Sequence, residues 1–299
     1  MVTDAVSVPL GVQRTLAREP RLLDLLVEAA VYLARNPLVF GVVVSGSIAA
    51  GKADQFSDVD LLAITTDEGL LPVWNDRMQL ERALGRVAFR FDLTEYVPFS
   101  AAAYFEDGAK IHVTYRALGK LQPELEYRCA DPLVIRTRVI TEWLDECRTL
   151  ASRPGHDVTV RTDEQFWFWL LQGASKIGRG ELWAAYDTLH VLRTLVLSAI
   201  CTLADIPFEG FRHVETRLDA ASLRSMNETI ASLDQAALAD AYFHVFQTYV
   251  AARAAIQARF DLLWSVPSGI AVFAQAKLAE WTVGAARATP TDDDRGVRA

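Results

Sequence analysis

The sequence predicts an α/β (α+β) domain with a mixed sheet, followed by an α-helical bundle domain. Two short β-branched runs, 38–45 and 59–66, stand between helical patterns in the first part, as in a small α/β fold. From residue 134 onward the apolar periodicity is helical throughout. The chain has 299 residues, 51% of them hydrophobic, which is enough for one large core or two ordinary ones.

The elements of the first part follow from the spacing of apolar residues. The alternation over 87–94 predicts a strand with Phe89 and Phe91 on one side and Arg90 and Asp92 on the other. A turn sequence at 106–109 predicts a hairpin. The predicted helices are 21–35 and 70–84, and the predicted strands are 38–45, 59–66, 87–94 and the two arms of a hairpin over 101–116.

Helical patterns separated by breakers predict a bundle for the second part. We place the boundary near Ala130-Asp131-Pro132, because a proline restricts the residue before it. The expected organisation is a first domain over 1–130, a bundle over 131–287 and a frayed tail over 288–299. The predicted helices are 135–150, 163–177, 181–203, 212–230, 234–264 and 270–286.

Composition excludes several classes of protein. A net charge of −8 argues against a general nucleic-acid binder, which needs a basic surface. The three cysteines are odd in number and widely spaced, so they predict neither a disulfide framework nor a Cys-x-x-Cys metal site. The longest apolar stretch, 191–204, contains Arg193 and is too short to cross a bilayer. We therefore expect a soluble, cytoplasmic protein with no membrane partner.

One segment carries the residue types of a phosphate and metal site. Ser45-Gly46-Ser47 ends the first predicted strand, and Asp58-Val59-Asp60 begins the second. Residues two apart on a strand share a face, so Asp58 and Asp60 offer two carboxylates to one Mg²⁺, which would carry a nucleotide triphosphate with it. The Gly-Ser turn lets backbone N–H groups and the Ser47 hydroxyl approach phosphate oxygens.

This arrangement resembles the nucleotidyltransferase superfamily that includes DNA polymerase β and the antibiotic nucleotidyltransferases. The signature of that superfamily is a strand, Gly-Ser or Gly-Gly, a loop, and Asp-x-Asp or Asp-x-Glu among apolar residues. The resemblance implies a nucleotidyltransferase domain in which Asp58 and Asp60 hold the metal, while Gly46 and Ser47 hold the nucleotide.

The third acidic residue of such a site has two candidates here. The segment 105–114 resembles the part of aminoglycoside 6-adenylyltransferases that carries the third carboxylate, but His112 stands in its place. Histidine is a poor Mg²⁺ ligand, but its pKa suits a general base. A spacer residue on a polar sheet face is an equally good interpretation of His112. Asp92 fits the layout of smaller superfamily members, or else it pairs with Arg90. We favour Asp92 as the third acid, with His112 sharing proton transfer.

A basic segment of the second part resembles the carboxy-terminal bundle of the same enzymes. It runs from Lys176 through Arg179-Gly180-Glu181. The resemblance implies that Lys176 and Arg179 line the cleft and meet the triphosphate, where an ammonium would neutralise the departing pyrophosphate. The other interpretation is a charged helix end with Gly180 as its C-cap.

The resemblance as a whole implies transfer of a nucleoside monophosphate to a hydroxyl of a small molecule. The expected donor is Mg-ATP or another nucleotide triphosphate, and the acceptor is expected to be a compound such as an aminoglycoside-like antibiotic. Two other classes stay open. One is a nucleotide-binding or regulatory protein that lost its chemistry with the third acid, and the other is a partner module such as half of a toxin–antitoxin pair.

Overall fold

The computed structural model describes residues 6–150, 156–267 and 269–286. The chain forms two compact units, Met1–Ala151 and Ser152–Ala299. The predicted fold class is confirmed, since the first unit contains a mixed six-stranded sheet and the second consists of helices. The tail predicted over 288–299 lies outside the described residues.

The sheet of the first unit has the strand order β3-β4-β5-β2-β1-β6. Only β2 and β5 pair in parallel; the other neighbours are antiparallel. The strands are β1 (Val39–Val44), β2 (Val59–Thr65), β3 (Val87–Asp92), β4 (Ser100–Phe105), β5 (Lys110–Ala117) and β6 (Asp131–Ile135). The helices are α1 (Leu10–Thr15), α2 (Pro20–Ala34), α3 (Gly46–Ala49), α4 (Leu70–Asn75), α5 (Arg77–Leu84) and α6 (Arg138–Thr149).

Each face of the sheet buries its own core. Val42, Val44 and Leu61 point to the face covered by α2, which we call the α2 face. Val43 and Leu62 point to the opposite side, where they pack against α6; we call this the α6 face. Residues paired across strands share a face, so the register assigns every other strand residue to one face or the other.

Edge strand β3 presents its residues in an unexpected way. Arg90 and Asp92 point to the α2 face, where they pair with Glu81 and Arg77 of α5. Phe89 and Phe91 point to the α6 face, where both are exposed. The register shifts between Val87 and Phe89, which moves Val87 to the buried α2 face. The alternation predicted over 87–94 therefore holds for 89–92 only, and its apolar side is the exposed one.

The division between the units differs from the predicted boundary near residue 130. The segment predicted as the start of the bundle forms β6, which pairs with β1 along the edge of the sheet. Helix α6 then covers the α6 face with Ile140, Trp143 and Leu144. Pro132 does not separate two domains, because an edge strand tolerates a residue without an N–H donor.

The second unit is a helical bundle with α8 (Leu182–Ala204) at its centre. Helix α8 packs against α7 (His156–Gly178) and α11 (Gln235–Phe260), and α12 (Ile270–Ala286) packs on α7. Its core contains Phe166, Leu189 and Tyr242, all fully buried. The helices are α7 (His156–Gly178), α8 (Leu182–Ala204), α9 (Val214–Arg217), α10 (Ala220–Asn227), α11 (Gln235–Phe260) and α12 (Ile270–Ala286).

Capping residues explain where predicted helices begin late or divide. Thr137 accepts a hydrogen bond from the Val139 N–H, so α6 begins only there. Asp219 accepts from two backbone N–H groups at the start of α10 and thereby divides the helix predicted over 212–230. The helix predicted over 70–84 is also divided at Asp76, but there the side chain forms no capping hydrogen bond.

Helix α8 is long and apolar enough to cross a membrane when judged by length and composition alone. Core helices of soluble proteins pass the same test. Leu189, Leu192 and Val196 of α8 are fully buried in the second unit, which is the behaviour of a core helix.

Candidate active site

The turn after β1 lies directly against a carboxylate of β2. The Ser45 N–H donates to the Asp60 carbonyl at 3.0 Å. Gly46 follows with φ +65°, in the left-handed region. A Cβ added to Gly46 would overlap the Asp60 carboxylate, lying 3.0 Å from its Cγ. Glycine is therefore required at this position for two reasons, the backbone conformation and the closeness of Asp60.

Ser47 and Ala49 lie in α3, the short helix that follows the turn, where the sequence predicted a loop. The loop from there to β2 is held by Asp54, whose carboxylate accepts from the Phe56 N–H at 3.0 Å and from the Ser57 hydroxyl. This local turn delivers the chain to Asp58. The structure therefore brings together four predicted site residues at one end of β1 and β2: Gly46, Ser47, Asp58 and Asp60.

His112 stands beside Asp60, because the parallel register of β2 and β5 pairs the two residues. The His112 Nδ1 donates to Asp60 Oδ1 at 3.2 Å. The hydrogen bond to Asp60 raises the pKa of His112 above its ordinary value, against the opposing effect of burial, and the negative charge of Asp58 contributes in the same direction. An imidazole that is readily protonated thus lies directly beside the Asp60 carboxylate.

The other ring nitrogen of His112 is also engaged. Its Nε2 lies 2.6 Å from the Ser100 hydroxyl, which in turn lies 3.1 Å from the Thr114 hydroxyl. A hydroxyl, an imidazole and a carboxylate in this order also form the triad of serine hydrolases. Ser100 is fully buried, however, and cannot meet a substrate. The arrangement therefore fixes the ring of His112 and orients it towards Asp60.

The structure does not bring Asp92 to this group, which corrects our preference for it as the third acid. Strands β4 and β5 separate β3 from β2. The register runs from Asp92 through Ala101 and Val113 to Leu61, so Asp92 lies on the α2 face, opposite Asp60. Its carboxylate accepts two hydrogen bonds from Arg77, at 2.7 and 3.2 Å, and these bonds lower its pKa. Asp92 is an ion-pair partner in the structure.

A carboxylate that sequence reasoning missed lies near the site. Glu126 belongs to a short 3₁₀ turn whose Tyr127 is buried beside α6. Desolvation raises the pKa of Glu126, and the charges of Glu124 and Asp60 raise it further. Glu126 therefore lies within electrostatic reach of Asp60. No sequence motif identifies Glu126, because it lies in the connection between β5 and β6.

Lys176 and Arg179 lie at the end of α7 in the second unit. The Lys176 ammonium donates to the Thr188 hydroxyl at 3.0 Å, and Arg179 pairs with Glu181 at 2.7 Å. Gly180 follows with φ +72°, as in a left-handed helix C-cap. Their contact with a triphosphate stays a prediction.

The donor set of the first unit suits a metal ion that arrives with its substrate. Within residues 6–150, 156–267 and 269–286, no group of three or more His, Cys, Asp or Glu side chains has metal-binding geometry. Mg²⁺ commonly binds through one or two carboxylates, with phosphate oxygens and water completing its shell. Asp58 and Asp60 match that requirement.

No family model matches the sequence, and no curated protein is significantly similar to it. Solved structures are similar to the chain at low identity. An aminoglycoside 6-adenyltransferase from Bacillus subtilis is 12% identical with a TM-score of 0.44, over 89% of this chain and 97% of that one. A nucleotidyltransferase-like protein from Exiguobacterium sibiricum is 14% identical with a TM-score of 0.37, over 83% and 74%.

A third similar structure is the CD-NTase CdnG of Bradyrhizobium diazoefficiens in complex with GTP, 15% identical with a TM-score of 0.26, over 96% of this chain and 90% of that one.

Proposed function

We propose that the protein is a cytoplasmic nucleotidyltransferase that transfers a nucleoside monophosphate, AMP from Mg-ATP in the first instance, to a hydroxyl of a small molecule. The observation that carries this proposal is the contact between the Gly46 turn and the Asp60 carboxylate, with Asp58 two residues earlier. The absence of a Cβ at Gly46 is what lets the backbone of the turn lie this close to the carboxylate.

Each residue has a distinct role in the proposed reaction. Asp58 and Asp60 would hold Mg²⁺, which when bound would neutralise charge on the triphosphate. Gly46 and Ser47 position the phosphates, and Lys176 and Arg179 meet the leaving pyrophosphate, as their resemblance to family positions implies. Positioning and charge neutralisation supply most of the rate in this class of reaction.

The chemical step exchanges one phosphorus–oxygen bond for another. The acceptor oxygen bonds to the α-phosphorus of the nucleotide as the bond from that phosphorus to the β-phosphate bridging oxygen breaks, and pyrophosphate leaves. The acceptor hydroxyl loses its proton in the process. We propose neutral His112 as the group that takes this proton, whereas the protonated form cannot. Asp92 has no part in this step.

The metal assignment is tested by thermal unfolding with and without Mg-ATP. Binding to the native state raises the melting temperature by mass action. We expect Asp58→Asn combined with Asp60→Asn to abolish the Mg-dependent rise. Asp92→Asn serves as the matched control, since it removes a carboxylate from the opposite face of the same sheet, and it should keep the full rise. An unchanged rise in the double variant would contradict the assignment.

One observation favours a second candidate function, nucleotide binding without transfer. The resemblance puts His112 where related enzymes carry the third acid, and both of its ring nitrogens are engaged within the protein. Pyrophosphate release distinguishes the two functions. A transferase releases pyrophosphate from labelled ATP when a panel of hydroxylated small molecules is supplied, and labels one of them. A binding protein shows the thermal response to Mg-ATP but neither release nor labelling.

A further inference from the structure

The α6 face carries two rows of side chains that continue from the carboxylates towards the edge of the sheet. One row runs from Asp60 across His112 and Ala102 to Phe91. The neighbouring row includes Lys110, Tyr104 and Phe89. The first row is polar at β2 and β5 and aromatic at β3, and the second is basic at β5 and aromatic at β4 and β3. The surface is therefore divided into a charged half and an aromatic half.

The aromatic half consists of three exposed rings, which we call the aromatic strip: Phe89, Phe91 and Tyr104. Their exposed fractions are 59%, 45% and 46%. The Phe89 and Tyr104 rings lie 6.4 Å apart between centroids. Ala102 separates the strip from His112, and its side chain is a single methyl group. A flat group that extends from His112 over Ala102 would meet the ring of Phe91.

The exposure of the strip is not explained by the stability of the sheet. Strand β3 directs its charges inward, to Glu81 and Arg77, and its rings outward. Inward charges protect an edge strand against pairing with another chain, but outward aromatic rings work against that protection. Burying such rings is strongly favourable, so a contiguous exposed group of them marks a binding surface.

The direction of the proposed reaction decides which substrate meets the strip. In-line displacement places the attacking oxygen and the leaving pyrophosphate on opposite sides of the α-phosphorus. Gly46 and Ser47 lie beyond Asp60 on the β1 side, and the strip lies beyond His112 on the β4 and β3 side. With phosphates at Gly46, the acceptor hydroxyl approaches from the side of His112, and the remainder of the acceptor extends over Ala102.

The charge nearest the aromatic strip is positive. The Lys110 ammonium lies 5.8 Å from the centre of the Tyr104 ring and donates to the Phe56 carbonyl at 2.8 Å. It therefore places a positive charge in the row beside His112. An ammonium group over the strip would be repelled by Lys110, whereas the carboxylates that attract such a group, Asp58 and Asp60, lie at the other end of the surface.

The geometry points to an acceptor that carries a planar aromatic ring near its reactive hydroxyl. This inference rests on the proposed function and adds the chemical class of the acceptor. Two strand spacings separate His112 from Phe91, which is about 10 Å. The hydroxyl and the far edge of the ring system are therefore separated by a similar distance. A simple compound of this kind is 2-(2-naphthyl)ethanol.

The test is a ligand-observed NMR titration of 2-(2-naphthyl)ethanol and of 2-deoxystreptamine, a dicationic aminocyclitol, against the full chain. We expect the naphthyl compound to bind more tightly than the aminocyclitol. Replacing Phe89 and Phe91 together by Ser should raise its Kd by roughly tenfold or more, since each ring contact contributes to binding. Phe273→Ser on α12 is the matched control, because it removes another exposed ring, and it should leave the Kd unchanged.

Several results would overturn the inference. Equal Kd values of the naphthyl compound for the wild type and the double variant would contradict it. Tighter binding of the aminocyclitol than of the naphthyl compound would also contradict it. A fall of several degrees in the melting temperature of the double variant would show that the rings pack within the protein. A wild-type dimer that the variant separates would show that a second copy covers them. If the wild type shows no thermal response to Mg-ATP, the proposed function is refuted. The titration would still measure whether the naphthyl compound binds at the aromatic strip.

Discussion

Replacing Gly46 by Ala separates two demands that the turn places on one residue. The left-handed conformation costs an L-residue about 1–2 kcal/mol. The added Cβ also overlaps the Asp60 carboxylate, which must rotate away. That rotation breaks its hydrogen bond with His112, and a bond to a charged group is worth about 1.5–3 kcal/mol. We expect Gly46→Ala to lower the free energy of unfolding by about 2.5–5 kcal/mol.

The chain contains a matched control for this variant. Gly51 has φ +71°, close to the value at Gly46, and a Cβ added there meets only the Thr15 hydroxyl at 3.9 Å. Gly51→Ala should therefore lose only the conformational part, about 1–2 kcal/mol. Urea unfolding measures both losses. The thermal response to Mg-ATP should disappear in Gly46→Ala and persist in Gly51→Ala.

The comparison refutes the reasoning in either of two ways. Equal losses of stability in the two variants would show that Asp60 does not restrict Gly46. A full Mg-ATP response in Gly46→Ala would show that the position of the Asp60 carboxylate does not matter for the nucleotide.

Two further predictions concern ion pairs outside the carboxylate pair. Arg77 lowers the pKa of Asp92 below its ordinary 3.8, so this pair stabilises the fold above that pH and the contribution is lost as the pH falls through the lowered value. Asp92→Asn should cost under about 1 kcal/mol at pH 7 in urea unfolding, because the pair is partly exposed, and a loss that persists unchanged at pH 2 would contradict this account. Asp163 is fully buried and accepts two hydrogen bonds from Arg253, at 2.7 and 3.1 Å, so Asp163→Asn should cost about 3–5 kcal/mol by leaving a buried charge unpaired. Asp205→Asn, in an exposed pair, should change the same measurement by under about 1 kcal/mol, and equal losses would show that burial is not the cause.

Local patterns were sufficient to predict most elements and the centre of the candidate site. Apolar periodicity within a few residues identifies β1, β2 and the long helices. The Gly46 turn and the Asp58–Asp60 pair were predicted because they lie at the ends of two such strands, where the chain itself brings them close. These features depend on neighbours in sequence, which is the information that periodicity contains.

The position of Asp92 could not be predicted, because it depends on which strands become neighbours. The alternation correctly predicted that Arg90 and Asp92 share one face of β3. Alternation alone does not reveal that β4 and β5 lie between β3 and β2. The partner of Asp92, Arg77, belongs to a helix that approaches from the other face. The contact between Ser100 and His112 was missed for the same reason, since it arises from pairing of β4 with β5.

Prediction also failed where an element is stabilised from far along the chain. The segment 131–135 has no strand partner within its own neighbourhood, and it becomes β6 only by pairing with β1. The aromatic strip was visible in the sequence as alternation, but an alternating strand does not indicate which of its sides is buried.

The pairing of β6 with β1 has a consequence for how the first unit acquires its structure. β1 is synthesised well before β6, so one of its edges stays unpaired until β6 follows it from the ribosome. Until α6 also folds, Val43 and Leu62 face solvent. A fragment that ends at residue 130 would keep Gly46, Asp58 and Asp60 but expose an apolar edge, which invites aggregation. A fragment that ends after Thr149 should be soluble.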